Sequence, residues 1–315
     1  MSTELTIFDF QARFSTEEAC YQHLYAARWP DGFVCPSCGG TRPSLIMTRG
    51  IIQCLDCTRQ TSLTAGTIMH RTKMPLRVWF WGAYLVATSG PGIAATQFQR
   101  QMGLSRYETA FQMLHKLRAG LVQGDDAKLL GAVEVDETFI GGPQPGPRGR
   151  GALGKSVVVG AVEVASGRKR PYSGRVKLRA IPNASGRNLM TFLADRVAAG
   201  STVVTDEWRG YRRASEQGYR HVLAEGRDGL VHIHRAFSNL KTWIRGTHRF
   251  VSRKHLQAYL NEYSFRFNGR RRPAVTFESL LGIAMNRAAP TYRQLYDAGS
   301  RRKHGWRHPN VPVNL

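Results

Sequence analysis

Two C-x-x-C knuckles, Cys35-Pro-Ser-Cys38 and Cys54-Leu-Asp-Cys57, restrict this chain more than any other feature, and fifteen residues separate them. The two-residue spacing lets both thiolates of a pair reach one ion, and four thiolates complete a tetrahedral shell. A closed shell leaves no open position, so the expected ion is a structural Zn²⁺ and not a catalytic one. The intervening residues can form a hairpin, which makes residues 33–62 a zinc ribbon. The competing readings are a redox pair or reduced surface thiols; in a reducing cytosol the paired spacing favours metal over disulfides. Cys20 stands apart and reads as a small buried residue.

Residues before the ribbon read as short helices, with a start signal at Ser15 or Thr16. After it, residues 75–122 are helical. Pro75 opens an apolar segment, Ser89-Gly-Pro-Gly92 breaks it, and two further helical stretches (93–102 and 105–118) flank a turn at Gly103. Helix, Gly-containing turn, helix is the layout of a helix-turn-helix, in which Ser105, Arg106, Thr109 and Gln112 would face the major groove. An ordinary helical hairpin that reads nothing fits the same periodicity, and the adjoining ribbon and basic charge favour DNA.

From Leu130 the pattern becomes strand-like. Val133 and Val135 alternate with Glu134 and Asp136, residues 156–164 form a continuous apolar run, and residues 175–181 alternate cleanly. A helix from Ser185 and a fourth strand ending at Asp206 follow, then helices after His232 and around 254–267. Three strands in an antiparallel meander, with a fourth returning across a helix, match a ribonuclease-H-like α/β core. The fold class expected is therefore multidomain α/β: residues 1–70 N-terminal helices and zinc ribbon, 71–125 the helix-turn-helix-like segment, 126–270 the ribonuclease-H-like domain, 271–315 a basic C-terminal extension. The stretch 141–151 is too rich in Gly and Pro for regular structure and reads as a mobile basic loop carrying Arg148 and Arg150.

Lys and Arg number 45 against 22 Asp and Glu, a net charge of +23. From His232 onward there are sixteen cations and three acids, a surplus of thirteen. Such a block attracts a polyanion, nucleic acid first of all, though a solvated basic face has the same composition. No long lipid-facing apolar stripe accompanies it, which disfavours a membrane surface. The apolar stretch Val78–Ala87 is too short to span a bilayer, and the acidic first twenty residues do not resemble a signal peptide, so a soluble cytoplasmic protein is expected.

Asp136 and Asp206 each end a strand-like run, where a carboxylate is costly to desolvate without a compensating cation. Brought together, such a pair can hold two divalent ions (Mg²⁺ or Mn²⁺) and act on a phosphodiester. A third ligand would come from the helix after the fourth strand, where His234, Ser238 and Lys241 share one face. Glu134 could share the face of Asp136, while Glu137 and Glu207 flank the pair and point elsewhere.

The ribbon, residues 133–142, Thr205-Asp-Glu-Trp-Arg-Gly-Tyr211 and His234-Arg-Ala-Phe-Ser-Asn-Leu-Lys241 with Gly246 and Thr247 resemble insertion-sequence transposases of the ISXO-like group, bacterial DDE-type enzymes related to the Merlin elements. The resemblance runs from the zinc module to about residue 275. It implies that Asp136 and Asp206 are metal ligands. It also implies double-stranded DNA as partner: the terminal inverted repeats of an element are bound and cut to expose 3′-hydroxyls, which are joined to target DNA. DDE enzymes carry Glu as third ligand with a basic residue seven positions on. Here His234 stands at that place and Lys241 keeps the cation, with Asn239 as the alternative ligand. A homodimer or larger assembly on DNA, in the bacterial cytoplasm and nucleoid-associated when bound, follows from the need to hold two ends. Phosphate contacts are expected from Lys241, Arg245, Arg270, Arg271 and Arg272, besides the loop arginines. The rivals are a domesticated, non-catalytic zinc-ribbon regulator and a simple metal-dependent nuclease.

Overall fold

Local capping chemistry sets the first boundaries. In α1 (Ile7–Arg13) and α2 (Glu17–Arg28) the cap residues Thr6 and Thr16 accept hydrogen bonds from the N–H groups of Asp9 and Ala19, both at 3.1 Å. These helices belong to a computed structural model that describes residues 5–46, 50–121, 127–141, 155–167, 170–286, 288 and 290–296. The chain forms two compact units, Met1–Gly124 with Gly269–Leu315, and Asp125–Asn268.

In the first unit, strands β1 (Pro43–Ile46), β2 (Ile51–Cys54) and β3 (Gln60–Ser62) pair antiparallel, and β1 with β2 is the hairpin between the cysteine pairs. Phe33, Cys35, Ile52 and Cys54 form its small core, against which Tyr25 and Trp29 of the preceding helix pack. Helix α3 (Leu76–Thr88) begins after Pro75, and its first N–H groups, those of Leu76 and Arg77, donate to the Glu17 carboxylate at 2.8 and 3.0 Å. An anion at a helix N-terminus is the favourable sign. Helices α4 (Ala95–Gln101) and α5 (Tyr107–Gly120) flank Gly103, whose φ of +62° is the left-handed turn conformation. Helix α9 (Pro273–Met285) packs on α2, α3 and α5, with Phe277 inside a cluster of Phe10, Phe14, Phe80 and Tyr84. Residues expected to open a C-terminal extension thus help build this core. Cys20 is fully buried, and burial pushes its thiol up to about 12, which fits the structural role expected of it. The basic loop from 142 and the tail from 297, with Arg148 and Arg150, lie outside the described residues.

The second unit is one mixed sheet between helices. Strands β4 (Ala132–Ile140), β5 (Ser156–Ala165) and β6 (Tyr172–Ile181) form the antiparallel meander; β7 (Thr202–Thr205) lies parallel to β4, and β8 (Arg220–Leu223) parallel to β7. The spatial order β6-β5-β4-β7-β8 is that of the expected ribonuclease-H-like core, with one strand more than the sequence pattern revealed. β8 has a mostly exposed pattern and a single partner strand, so it carries no run of apolar residues to announce it. Helix α6 (Gly186–Arg196) covers one face over Val133, Val135, Val159 and Val203; α7 (Val231–Trp243) and α8 (Leu256–Gly269) cover the other over Ile140, Val158, Val162 and Val176. No helix among the described residues is long and apolar enough to cross a membrane.

Candidate active site

Strand register brings the two aspartates level. The parallel pairs Ala132–Thr202, Val133–Val203 and Glu134–Val204, continued by two residues, set Asp136 beside Asp206. Adjacent strands lie about 4.8 Å apart. One Asp206 oxygen accepts the Trp208 N–H at 3.0 Å, and one Asp136 oxygen accepts the Glu137 N–H at 2.7 Å. The other Asp136 oxygen lies 3.1 Å from His234 Nε2 on α7. Burial raises the Asp136 carboxyl above the ordinary carboxylate range; the Glu137 N–H and His234 oppose this, while the charge of Asp206 adds to it. Among the described residues only the four ribbon cysteines already draw three or more ligand atoms together. Asp206 is near enough for its charge to act on Asp136, and His234 touches Asp136, at a place where negative charge is disfavoured by its surroundings. A divalent cation offers the compensation such a donor set lacks.

Two residues bring α7 to this place, and neither was singled out for that role in the sequence. The buried Glu134 accepts the Ile233 N–H at 2.8 Å, so a carboxylate from β4 satisfies a free N–H in the first turn of α7. Glu134 thus shares the face of Asp136. Gly160 pairs with Asp136 across β4 and β5, and a Cβ there would lie 2.7 Å from the Phe237 ring and 2.8 Å from Leu178. Its lack of a side chain lets α7 approach the sheet beside the carboxylates. A glycine amid valines in residues 156–164 is the signal that could have found it. Glu134→Ala is expected to weaken divalent-ion binding by about 10–100-fold, as loss of a supporting contact behind a ligand does. Titration calorimetry with Mn²⁺, alongside an unchanged circular dichroism spectrum, checks this.

Glu137 points to the opposite face, toward Tyr211. Burial, and then the charges of Glu137, Asp136 and Asp206, raise that phenol well above its usual range, which keeps it a neutral donor. Glu207 is exposed. Asn239 is exposed too, five residues past His234 and so roughly 140° round the helix. Lys241 is half-buried; burial and the charge of Arg245 lower its pKa, Asp136 raises it, and Lys155 lowers it again. It lines a cavity of about 600 Å³ together with Arg245.

The expected DNA contacts in the first unit are differently placed. Arg106 is exposed as the residue before α5, and Arg270, Arg271 and Arg272 are exposed before α9. Thr109 and Gln112 are half-buried, and the Gln112 side chain bonds to the Tyr296 hydroxyl of α10 (Tyr292–Tyr296).

The four ribbon cysteines bring their sulfurs within 4.8 Å of one another, with Cys35–Cys57 and Cys38–Cys54 each at 3.7 Å. A tetrahedron with Zn–S bonds of about 2.3 Å has edges of about 3.8 Å, so the donor set fits structural zinc. Backbone N–H groups of Cys38 and Ser37 hold the Cys35 thiol down to about 7. A Cβ at Gly40 would collide with the Asp56 carboxylate, which pairs with Arg42 through Nε at 2.7 Å and closes the knuckle.

Residues 128–268 match the ISXO2-like transposase domain, and residues 15–60 match the transposase zinc-ribbon domain. No relative among curated proteins matches. One chain of the cryo-EM structure of a simian T-cell lymphotropic virus intasome in complex with PP2A regulatory subunit B56 gamma aligns over 70% of this chain and 78% of its own. The identity is 12% and the TM-score 0.22, a likeness too weak to carry an argument.

Proposed function

Because the chain belongs to the ISXO2-like insertion-sequence transposases, we propose that it binds the terminal inverted repeats of its element, cuts there to expose 3′-hydroxyls, and joins them to target DNA. The observation that carries this reading is the placement of Asp136 on β4 and Asp206 just past the adjacent parallel strand β7, with His234 against Asp136. Asp136 and Asp206 would each offer an oxygen, and His234 a nitrogen, to two Mg²⁺ or Mn²⁺ ions. Bound there, divalent ions supply an activated water or 3′-hydroxyl and stabilisation of the leaving oxygen. Glu134 and Gly160 hold α7, and with it His234, in position. Lys241 places positive charge near Asp136, where a DNA phosphate would otherwise be repelled, and Arg245 lines the same cavity as Lys241. No covalent enzyme intermediate is needed. His234 serves as third ligand in this reading because it touches Asp136, whereas Asn239 lies roughly 140° round the helix from it. The exposed arginines near 106 and 270–272, with the zinc ribbon, contact the repeats, and a dimer or larger assembly pairs the two ends.

The test is purified protein, labelled element-end duplex, a target plasmid and divalent ion. Joined products support the reading, cut ends alone indicate a nuclease, and a gel shift without chemistry indicates a regulator. Imidazole brings no charge and is softer than carboxylate, so Mn²⁺ is expected to support cutting at least as well as Mg²⁺. A His234→Glu variant should then shift the ratio of initial rates toward Mg²⁺ by about tenfold, roughly 1.4 kcal/mol in barrier difference. An unchanged ratio in that variant removes His234 as a ligand.

A further inference from the structure

We propose that the cavity beside the carboxylate site receives an unpaired nucleotide, its phosphate held by Lys155, Lys241, Arg245 and Arg249 and its base laid against Phe250. The cavity is bounded by Phe139 and Ile140 of β4 and by the segment that follows α7. Its volume of about 600 Å³ lies in the range of small-molecule sites. Four cations line it, and no acidic side chain does so among the described residues. Burial and Arg245 act against the charge on Lys241, Asp136 favours it, and Lys155 acts against it again. An anion bound among these four cations would gain charge-assisted hydrogen bonds from more than one of them.

The apolar half of the cavity asks for an aromatic ligand as well as an anion. Phe250 is 69% exposed, which leaves its ring open to a stacking partner at the cavity mouth. The backbone spends strain to put it there. α7 runs into a π-helical turn at Ile244–His248, and Arg249 follows at φ +59° and ψ −54°, the rare, strained form of γ-turn, in which the Phe250 N–H donates to the His248 carbonyl at 2.6 Å. π-turns and such outliers concentrate at functional sites. A phosphate joined to a flat π-face is a nucleotide. Within a duplex that face is already stacked, so the base that meets Phe250 must be unpaired. The identification of DNA as the ligand rests on the transposase reading.

The test uses the full chain without added Mg²⁺ or Mn²⁺ and two probes of arbitrary sequence. One is a duplex with a short single-stranded tail whose first unpaired base is 2-aminopurine; the other is a blunt duplex with the same base paired. The native protein is expected to bind the tailed probe more tightly and to change its fluorescence. Phe250→Ala should reduce that preference by about 5- to 150-fold, the equivalent of roughly 1–3 kcal/mol of base stacking. Phe250→Tyr should keep it, which a loss of structure would not allow. Equal binding of the two probes by the native protein, or full preference in Phe250→Ala, overturns the proposal. A chain that cuts element ends yet ignores the tail sinks the pocket alone. A chain that grips the tail yet never cuts sinks the strand-cutting reading and leaves the pocket standing.

Discussion

Asp136→Asn is expected to lower metal-dependent cutting and joining by on the order of 10³-fold or more while leaving the gel shift intact, and Asp206→Asn to do the same. Each removes one of two charges from a site whose ions must stabilise several kcal/mol of developing charge, and each 1.36 kcal/mol is a factor of ten in rate. Binding survives because the cations that would grip phosphate are elsewhere, on Lys241, Arg245 and the exposed arginines. The effect on stability should run the other way. Since burial raises the Asp136 carboxyl, the folded protein holds its proton more tightly than the unfolded chain does. The stability tied to that proton is present at low pH and is lost as pH rises through the raised value. Above that value the ionised group is a burden that Asn relieves. Without divalent ions at neutral pH, Asp136→Asn should therefore melt no lower than the native protein, and addition of Mn²⁺ should raise the melting temperature of the native protein alone. A variant that cuts at the native rate would remove the aspartate from the site. So would one that loses cutting only because it melts tens of degrees lower.

Removal of zinc is expected to unfold residues 33–62 while the second unit keeps its own transition. Apparent zinc binding in such sites is about 10–16 kcal/mol, comparable to the whole stability of a domain. The ribbon has little else: its own core consists of Phe33, Cys35, Ile52 and Cys54, two of which are ligands. Cys54→Ser, or a chelator, should collapse amide protection at Ile52 toward that of an unfolded segment in hydrogen-exchange measurements, with protection of Val159 and Val203 retained. Retained protection at Ile52 under chelation would mean that packing alone holds the ribbon. Loss of the gel shift together with Ile52 protection would tie recognition of the element ends to the ribbon.

Much of this was legible from spacing alone. Four thiols in two C-x-x-C pairs have one compact arrangement, and the sulfurs meet at 3.7 Å as tetrahedral ligation requires. The continuous valine run announced β5, because a strand covered on both faces needs apolar residues throughout, and the alternation of Val133 and Val135 with Glu134 and Asp136 announced β4. The edge strand β8 was silent for the opposite reason: it buries little. The helix-turn-helix pattern located α4, Gly103 and α5, but periodicity does not say which face of α5 is taken. Gln112, expected on an open face, bonds to Tyr296, which lies 184 residues further along the chain.

The division has one physical source. Local properties (thiolate spacing, cap residues, alternation of apolar side chains, the excess of cations) are written within a few residues of one another, so the chain itself determined the ribbon, the helix starts and the strands that carry Asp136 and Asp206. Proximity between distant residues depends on strand register and on how closely a helix can approach a sheet. Only the folded chain could decide that Asp136 and Asp206 sit on neighbouring parallel strand ends, that Glu134 and Gly160 seat His234 against Asp136, and that Lys155, Arg249 and Phe250 line one cavity.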